Sequence, residues 1–574
     1  MCGIAGIINF NEKKISEREV KLALKSIKHR GPDDSGSWTN NSKNIALINT
    51  RLSIQDLSTK GSQPMTSDDG RFVIIFNGEI YNFKYLKKNY FSNENFESNS
   101  DTEVILKLFI RYNYKFLNLL EGMFAIAIYD KQNNKLFIAR DEFGIKPLYY
   151  FIDGNKFIFS SEIKTFFELN IKREINPRSL SSYLTSEYYE NKTHTYFKNI
   201  LKLESGSYME ISNGRVKTQS YFDFYDYSKK IFVPKKYNER KERLSEIILK
   251  CVKNGMVSDV PISIAASGGL DSSILQYEAY KINQKAKLIS WDFKENSFSE
   301  KKYVNQISKI TNVSPIFYKI YPKKIINILK EIISINEEPF AGVPIISYYL
   351  ALKNINNNKV ILDGSGLDEA NGGYEKYYIQ KKKKYNKLSQ DGSYSIKNII
   401  NKKFLNNFPN YDKDLILRNS FKKKMFNDLF FIKLPRALRF RDKISMSLGF
   451  ELRPIFLDKE LVAYLHKLKR EDHYKREFTK FILRDTYKNK ISKNIAFGKK
   501  RNIQTPQTIW FKKDLNKWLS NLLRKSPLWD TNLLDRDKFF LNYDLFNRGK
   551  INNSFFIWQF INLHYFIKKN DVLS

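Results

Sequence analysis

The stretch ISIAASGGLDSSIL, residues 262–275, carries residue types that could bind phosphate. Its apolar run, glycine pair and following segment predict a buried strand, a tight turn and the start of a helix. The N–H groups of such a turn and the dipole of the helix attract anions. The predicted donors are Ser267, Gly268, Gly269, Ser272 and Ser273. The stretch is not the Walker sequence, because it does not end in Gly-Lys-Ser/Thr. An ordinary strand-to-helix turn is the alternative.

A metal ion would explain Asp271 within this turn. A carboxylate repels a bare phosphate, but a magnesium ion can bridge the two. A second stretch of this kind, VILDGSGLDEANGGY at 360–374, places Asp368 and Glu369 where its strand should end. Ligands of open parallel sheets bind at the carboxyl ends of the strands. We therefore expect Asp271 and Asp368 to hold one magnesium ion together.

Two regions with different patterns must position these groups. Up to about Tyr221, short β-branched runs alternate with turn residues, and one helix is predicted at 101–112. This pattern predicts a sheet-rich α+β domain. After a connector, strand and helix signals alternate, which predicts a parallel sheet with helices on both faces. The carboxyl-terminal part has a mostly helical pattern, and we expect its apolar stretch at 554–569 to dock as a helix.

The charge of the chain is strongly positive. Lysine and arginine number 98 against 61 aspartate and glutamate, a formal net charge of +37. Such a charge can indicate nucleic acid, an anionic membrane surface or acidic substrates. The lysines are scattered, however, and the densest run, at 381–384, stands in no recognisable nucleic-acid module. We interpret the charge as solvated faces and predict no nucleic-acid partner.

The sequence also bears on the compartment. It shows no signal peptide and no apolar run long enough to cross a bilayer, so we expect no membrane span. The two cysteines, Cys2 and Cys251, cannot build a disulfide framework, which favours a reducing cytoplasm.

Several short motifs follow one another in the first 105 residues: MCGIAGI, HRGPDDSG, RLSIQDL, FNGEIYN and SDTEV. Together they resemble the glutaminase domain of class II amidotransferases. SGGLDSS resembles the pyrophosphate-binding loop of the ATP pyrophosphatases. With LRFRDKISMSLGFELRPIFLD and KFILRDTY further on, the whole chain resembles the family of glutamine-dependent asparagine synthetases.

This resemblance implies an N-terminal-nucleophile (αββα) glutaminase domain over 1–215 and a linker over 216–236. An α/β parallel-sheet ATP-pyrophosphatase domain with a helical C-terminal part follows over 237–574. The implied enzyme is an ATP-dependent amide ligase that uses ATP and Mg²⁺. Ammonia from glutamine passes through a tunnel to an adenylated aspartate β-carboxylate, which gives asparagine, glutamate, AMP and pyrophosphate. The implied partners are these small molecules. Whether the protein forms a homodimer is left open.

The resemblance assigns roles in the first domain. Cys2 is the nucleophile once methionine is removed, and its own α-amine takes the thiol proton. Asn77 and the Gly78 N–H stabilise the oxyanion. The implied glutamine-binding residues are Arg51 for the α-carboxylate, Asn77, Gly78, and Glu79 and Asp101 for the α-ammonium group. A small buried apolar residue is the alternative for Cys2, as we expect for Cys251.

In the second domain, the resemblance makes Lys480 the cation that neutralises charge on the leaving pyrophosphate. A helix lysine that extends its ammonium to solvent is the alternative. Gly364 and Ser365 join the donors of the first loop at the phosphates, and Asp271 and Asp368 are the implied metal ligands.

One loop departs from the family pattern, which usually reads Ser-Gly-Glu/Asp-Gly-x-Asp-Glu. Here Ser365 stands at the acidic position, and Asp363 stands where serine is usual. Asp363 is a candidate to supply the missing carboxylate from two residues away. The change leaves open the same two half-reactions on another carboxylate, such as a uronic acid in surface-polysaccharide synthesis. A basic, non-catalytic binding protein on this fold is the alternative from another class.

Overall fold

A computed structural model describes residues 2–185, 190–340, 342–355, 358–378, 396–411, 420–498 and 505–570 of the chain. The segment 381–430, rich in Lys, Asn and Ser, is expected from its composition to be a mobile or helical insertion, and it lies outside the described residues over 381–395 and 412–419. Its described parts contain short helices. Within the described residues, no helix combines the length and apolar character that crossing a bilayer requires.

Two six-stranded antiparallel sheets form the centre of the amino-terminal part. The first has the order β10-β8-β9-β1-β3-β2, and the second has the order β12-β11-β7-β6-β5-β4. The strands are β1 Gly3–Asn9, β2 Asp34–Thr39, β3 Ile45–Arg51, β4 Met65–Thr66, β5 Phe72–Ile80, β6 Gly122–Asp130, β7 Lys135–Arg140, β8 Tyr149–Ile152, β9 Lys156–Ser160, β10 Leu201–Lys202, β11 Ser207–Ser212 and β12 Arg215–Ser220.

The central strands, such as β1, β3 and β5, are buried at every position, so each sheet packs on both of its faces. Ile4 and Leu47 of the first sheet meet Ile75 and Ala127 of the second in a shared core. Helices cover the two outer faces. They are α1 Glu17–Ile27, α2 Phe83–Tyr90, α3 Asp101–Tyr112, α4 Lys164–Glu168 and α5 Pro177–Thr185. The four αββα layers that the resemblance implies are confirmed. The segment expected as a linker, 216–236, contains most of β12 and helix α6 Phe224–Lys230.

A five-stranded parallel sheet of order β15-β14-β13-β16-β17 forms the centre of the carboxyl-terminal part. Strands such as β13 are buried along their whole length because helices cover both faces of the sheet. The strands are β13 Ile262–Ala265, β14 Lys287–Phe293, β15 Pro315–Ile320, β16 Val360–Asp363 and β17 Glu451–Pro454, and β18 Tyr474–Lys475 pairs separately with β19 Phe478–Thr479.

Helices surround this sheet and make up most of the described part that follows it, as the sequence predicts. They are α7 Tyr237–Gly255, α8 Leu270–Ile282, α9 Lys301–Thr311, α10 Pro322–Asn336, α11 Val343–Lys353, α12 Leu367–Ala370, α13 Lys402–Asn407, α14 Phe421–Asn427, α15 Leu434–Ser447, α16 Lys459–Lys467, α17 Arg470–His473, α18 Phe481–Tyr487, α19 Lys493–Ala496, α20 Gln507–Lys512, α21 Asn516–Arg524, α22 Arg536–Asn547 and α23 Phe555–Lys569.

Buried polar contacts join the two parts of the molecule. The Lys443 ammonium of α15 lies 2.6 Å from the Glu162 carboxylate, and both side chains are 1% exposed. Helix α23 is apolar around most of its surface, which predicts burial on all sides. Its Gln559 donates to the carbonyl oxygen of Tyr183 at 2.6 Å. The expected docking of the terminal helix is confirmed, and it reaches both parts.

Candidate active sites

Cys2 lies in a closed site at the start of β1. It is 7% exposed, and its N–H donates to Asn77 Oδ1 of β5 at 3.3 Å. Burial raises the pKa of the Cys2 thiol, while the Leu52 N–H and the nearby Arg51 cation oppose the rise. The thiol is therefore protonated at neutral pH and needs a base before it can attack a carbon.

Residues of β5 surround this cysteine. Asn77 is fully buried, and its Nδ2 lies 3.4 Å from the Ser161 hydroxyl, which itself accepts the Ile4 N–H at 3.1 Å. The next residue, Gly78, has no room for a side chain, because a Cβ atom there would lie 2.1 Å from the Met123 carbonyl oxygen. The backbone after Asn77 is thus held close to β6.

Arg51 ends β3, and the register of β1 with β3 brings it beside Cys2. Its guanidinium donates to the carbonyl oxygens of Ser58 at 2.9 Å and Gln55 at 3.3 Å. It also bonds closely to the carbonyl oxygen of Asp56. The loop after β3 therefore wraps around the arginine and holds its charge within the buried site.

Two buried carboxylates complete this site. Asp101 begins α3 and accepts the Ile80 N–H at 2.9 Å. Burial raises the pKa of Asp101 to about 6. Burial also raises the pKa of Glu79, with the Arg453 cation opposing it. Glu79 Oε2 lies 3.1 Å from Arg453 of β17, and its Oε1 is buried with no hydrogen-bond partner among the described residues.

The first glycine-rich loop lies at the carboxyl end of β13, as the sequence predicts. Gly268 has a φ of +62°, and a Cβ atom there would lie 2.6 Å from backbone atoms of Tyr303 and Val304. Only glycine fits this conformation without displacing the start of α9. The loop lines a cavity of about 480 Å³. Cavity-lining residues include Ser267, Gly268, Gly269, Asp271, Ser272, Gly364, Ser365, Asp368 and Lys480.

Ser273 differs from the other predicted donors. It is fully buried in α8 and is not among the residues that line the cavity. The physical reason is the helix itself, because each residue turns about 100° from the one before it. Ser272 is therefore directed to the cavity while Ser273 is directed into the core. Of the two serines, only Ser272 remains a candidate for phosphate contact.

Asp271 and Asp368 meet at a single cation. Lys480 Nζ lies 2.7 Å from Asp271 Oδ1 and 2.7 Å from Asp368 Oδ1. Burial alone would lower the pKa of Lys480, but the two carboxylates raise it above its ordinary value. The lysine also has an unusual left-handed backbone, with φ +53°. Such conformations persist where the surrounding structure requires them, as at binding sites.

These carboxylates fit a magnesium ion. They lie at the starts of α8 and α12, the helices that follow the adjacent strands β13 and β16, and the Lys480 ammonium lies 2.7 Å from each of them. The described residues contain no group of three or more His, Cys, Asp or Glu side chains that could hold a metal. Mg²⁺ commonly binds one or two carboxylates and takes its other ligands from phosphates and water. Asp271 and Asp368 would hold Mg²⁺ in that way.

Asp363, at the end of β16, has a different partner. Its Oδ1 accepts the Ser365 N–H at 2.8 Å and Arg441 Nη1 of α15 at 2.6 Å. Sequence reasoning did not assign roles to Arg441 or Arg453, although both lie in the stretch LRFRDKISMSLGFELRPIFLD. The signal in the sequence was that each arginine stands within two residues of an acidic residue, in a segment that also contains many apolar residues.

Comparison with known proteins adds to this geometry. A family model described as "Glutamine amidotransferase domain" matches residues 1–222. A second, described as "Asparagine synthase", matches residues 243–568, more than half of the chain. The first covers the closed site around Cys2, and the second covers the cavity around Lys480.

Curated relatives match over both parts. "Asparagine synthetase [glutamine-hydrolyzing] 1" of Bacillus subtilis is 27% identical over 92% of this chain and 90% of its own length. Its paralogue "Asparagine synthetase [glutamine-hydrolyzing] 2" is 34% identical over 65% of this chain and 52% of its own length. "Asparagine synthetase B [glutamine-hydrolyzing]" of Escherichia coli is 28% identical over 65% of each. The chain belongs to the family of glutamine-hydrolysing asparagine synthetases.

Proposed function

We propose that this protein is a glutamine-hydrolysing asparagine synthetase. Glutamine hydrolysis at Cys2 supplies ammonia, and ATP adenylates the β-carboxylate of aspartate, so that the products are asparagine, glutamate, AMP and pyrophosphate. Residues 1–215 are the glutaminase domain and residues 237–574 are the synthetase domain. The observation that carries the proposal is that one chain contains both a closed site around Cys2 and a cavity in which Asp271, Asp368 and Lys480 meet. The relatives favour neither alternative that the sequence left open.

The first half-reaction begins at the Cys2 sulfur. After methionine removal, the α-amine of Cys2 accepts the thiol proton while Sγ attacks the amide carbon of glutamine. Asn77 and the Gly78 N–H stabilise the oxyanion. The amine then gives the proton to the departing ammonia, and water hydrolyses the thioester to glutamate. A neighbouring base is required because burial raises the pKa of the Cys2 thiol.

Charges in the closed site suit the amino acid end of glutamine. Arg51 offers a guanidinium to the α-carboxylate, and such charge-assisted bonds are about twice as strong as neutral ones. Asp101 and the unpartnered Oε1 of Glu79 offer negative charge to the α-ammonium group. Ser58 and Gln55 support this role because their carbonyl oxygens hold Arg51 in place.

The second half-reaction takes place in the cavity. Ser267, Gly268, Gly269 and Ser272 bind the phosphates of ATP, together with Gly364 and Ser365. The aspartate β-carboxylate oxygen attacks the α-phosphorus, and pyrophosphate leaves. Lys480 neutralises the charge on the leaving group. Ammonia then attacks the acyl carbon, loses a proton, and AMP leaves.

Mg²⁺ held by Asp271 and Asp368 would neutralise phosphate charge when it is bound. Both cysteines are free and buried, which supports a reducing cytoplasm as the compartment. The net charge of +37 gives no second function, because we assign it to solvated faces.

The test supplies the purified protein with ATP, Mg²⁺, L-aspartate and glutamine labelled with ¹⁵N in the amide. We expect labelled asparagine, glutamate and pyrophosphate in equal amounts. If the protein releases glutamate but forms no labelled asparagine, and if aspartate does not stimulate pyrophosphate release, aspartate is rejected as the acceptor. Parallel reactions with glucuronate report whether another carboxylate takes its place.

A further inference from the structure

An ion pair lines the synthetase cavity beside the nucleotide loop. Arg441 Nη1 lies 2.6 Å from Asp363 Oδ1, and the two side chains are 22% and 10% exposed. Both residues line the same cavity of about 480 Å³ as the glycine-rich loops. This pair is separate from the cluster of Lys480 with Asp271 and Asp368.

Each partner uses only part of its bonding capacity. The hydrogen bonds to the Asp363 side chain all end at Oδ1, from the Ser365 N–H, the Ser365 hydroxyl and Arg441 Nη1. Within the described part of the chain, Oδ2 of Asp363 and the other guanidinium nitrogens of Arg441 make no hydrogen bond. Asp363 Oδ2 and one edge of the Arg441 guanidinium are thus available to bind a ligand.

The pair also lies close to the place where adenylation would occur. Gly364, next to Asp363, packs against the first loop: a Cβ atom there would be 3.4 Å from the carbonyl carbon of Asp271 and the nitrogen of Ser272. Since that loop is the proposed phosphate site, a carboxylate attacking the α-phosphorus must lie beside Gly364. The rest of the acceptor would then lie near Asp363 and Arg441.

We propose that Arg441 and Asp363 recognise the amino acid end of the acceptor. Arg441 binds the α-carboxylate and Asp363 binds the α-ammonium group, while the β-carboxylate is adenylated. This assignment rests on the proposed function above and names the residues that select its substrate. It also gives a role to the departure from the family loop, in which the carboxylate is at 363 and serine is at 365.

Charge balance supports this choice of ligand. The Arg441–Asp363 pair is neutral in sum, and so is the α-carbon end of an amino acid. Binding exchanges one ion pair for two without burying net charge, which is the costly alternative. A uronic acid has neither an α-carboxylate for Arg441 nor an ammonium group for Asp363, so it would form neither of the two charge-assisted bonds.

The experiment measures pyrophosphate release with ATP, Mg²⁺ and ammonia, so that the glutaminase site is not needed. The acceptors are L-aspartate, succinate, which lacks the ammonium group, and β-alanine, which lacks the α-carboxylate. For the unmodified protein we expect kcat/KM for both analogues to be lower by at least about 100-fold, because the site's buried charges stay unpaired.

Variants then separate the two roles. Arg441→Met should raise the KM for aspartate by about 100-fold and reduce discrimination against β-alanine, and Asp363→Asn should reduce discrimination against succinate. The KM for ATP should stay within about threefold. Arg441→Lys should restore part of the loss. Arg548→Met, which breaks an exposed pair with Asp544, is the matched control.

Folding is checked by glutaminase activity, and by the double variant Asp363→Asn/Arg441→Met, which leaves no unpaired charge. If the unmodified protein makes asparagine but these variants keep its KM for aspartate, the assignment is wrong and the proposed function stands. If the unmodified protein shows no aspartate-dependent pyrophosphate release, the proposed function fails, and this assignment fails with it.

Discussion

Arg30 donates to both carboxylate oxygens of Asp442, from Nη1 at 2.9 Å and from Nη2 at 3.2 Å. The two residues are 412 positions apart and join the amino-terminal part to α15. Arg30 Nε also lies 3.3 Å from the carbonyl oxygen of Cys2. Arg441, the residue before Asp442, lies in the synthetase cavity. One helix therefore contacts the surroundings of both proposed sites.

Replacing Arg30 should destabilise this interface. Arg30 is fully buried, and Arg30→Met would leave Asp442 with only the Lys146 ammonium at 3.9 Å and Glu162 with fewer cations. Removing one member of a buried pair typically costs about 3–5 kcal/mol. We expect the first thermal unfolding transition, followed by calorimetry, to fall by several degrees. Arg18→Met on the exposed face of α1 is the control, and an equal shift in both variants would show that the pair does not stabilise the interface.

The two cysteines allow a matched test of the nucleophile. Cys2→Ala should lower glutamine-dependent synthesis by at least about 1000-fold, because no other residue forms the thioester. Synthesis from added ammonia should change less than about twofold. Cys251→Ala changes a cysteine buried in α7 and should leave both activities intact. The measurement is glutamate release from glutamine by each variant. If the Cys2→Ala protein still uses glutamine, Cys2 is not the nucleophile.

The sequence predicts much of the fold because its patterns are local. Short apolar and β-branched runs between turn residues mark β5 and β6, and helical spacing marks α3 with its bounds at Asp101 and Tyr112. The elements around Cys2 and the glycine loops could be expected from short motifs. The local sequence also fixes the helical phase, and the turn of about 100° between Ser272 and Ser273 directs one to the cavity and the other to the core.

Pairings between distant segments could not be predicted in this way. Glu79 pairs with Arg453 and Asp363 with Arg441 because packing brings separate elements together. Nothing in the spacing of these residues encodes that packing. The partner of Asp363 decides whether its carboxylate acts as a free base or as half of an ion pair, so the acceptor end of the site required the three-dimensional structure.

Glutamine binding should weaken in mild acid. Burial raises the pKa of Asp101 to about 6, and burial also raises the pKa of Glu79. Asp101 holds an α-ammonium group only in its ionised form, so protonation of Asp101 below about pH 6 removes its attraction. The Kd of glutamine for the Cys2→Ala protein, measured by calorimetry, should rise about tenfold between pH 7.5 and pH 5.

Asp101→Asn is the control for this pH dependence. It should weaken glutamine binding at pH 7.5 and flatten the change with pH, since the group that titrates is gone. Circular dichroism at pH 5 checks that the protein is still folded. A Kd that is constant from pH 5 to pH 7.5 in the protein with Asp101 intact would contradict the assignment of this carboxylate to the ammonium group.

Gly268→Ala should separate the two half-reactions. The glycine has a φ of +62°, and an added Cβ atom would lie 2.6 Å from the backbone of Tyr303. The loop or the start of α9 must then move, and a left-handed conformation adds about 1–2 kcal/mol for an alanine. Loss of aligned N–H donors typically lowers turnover by about 100-fold or more. We expect that loss in ammonia-dependent synthesis, with glutaminase activity unchanged. Gly154→Ala, where no atom lies within 4 Å of the added Cβ, should change neither activity. An unaltered KM for ATP and an unaltered turnover in Gly268→Ala would show that this loop does not bind the phosphates.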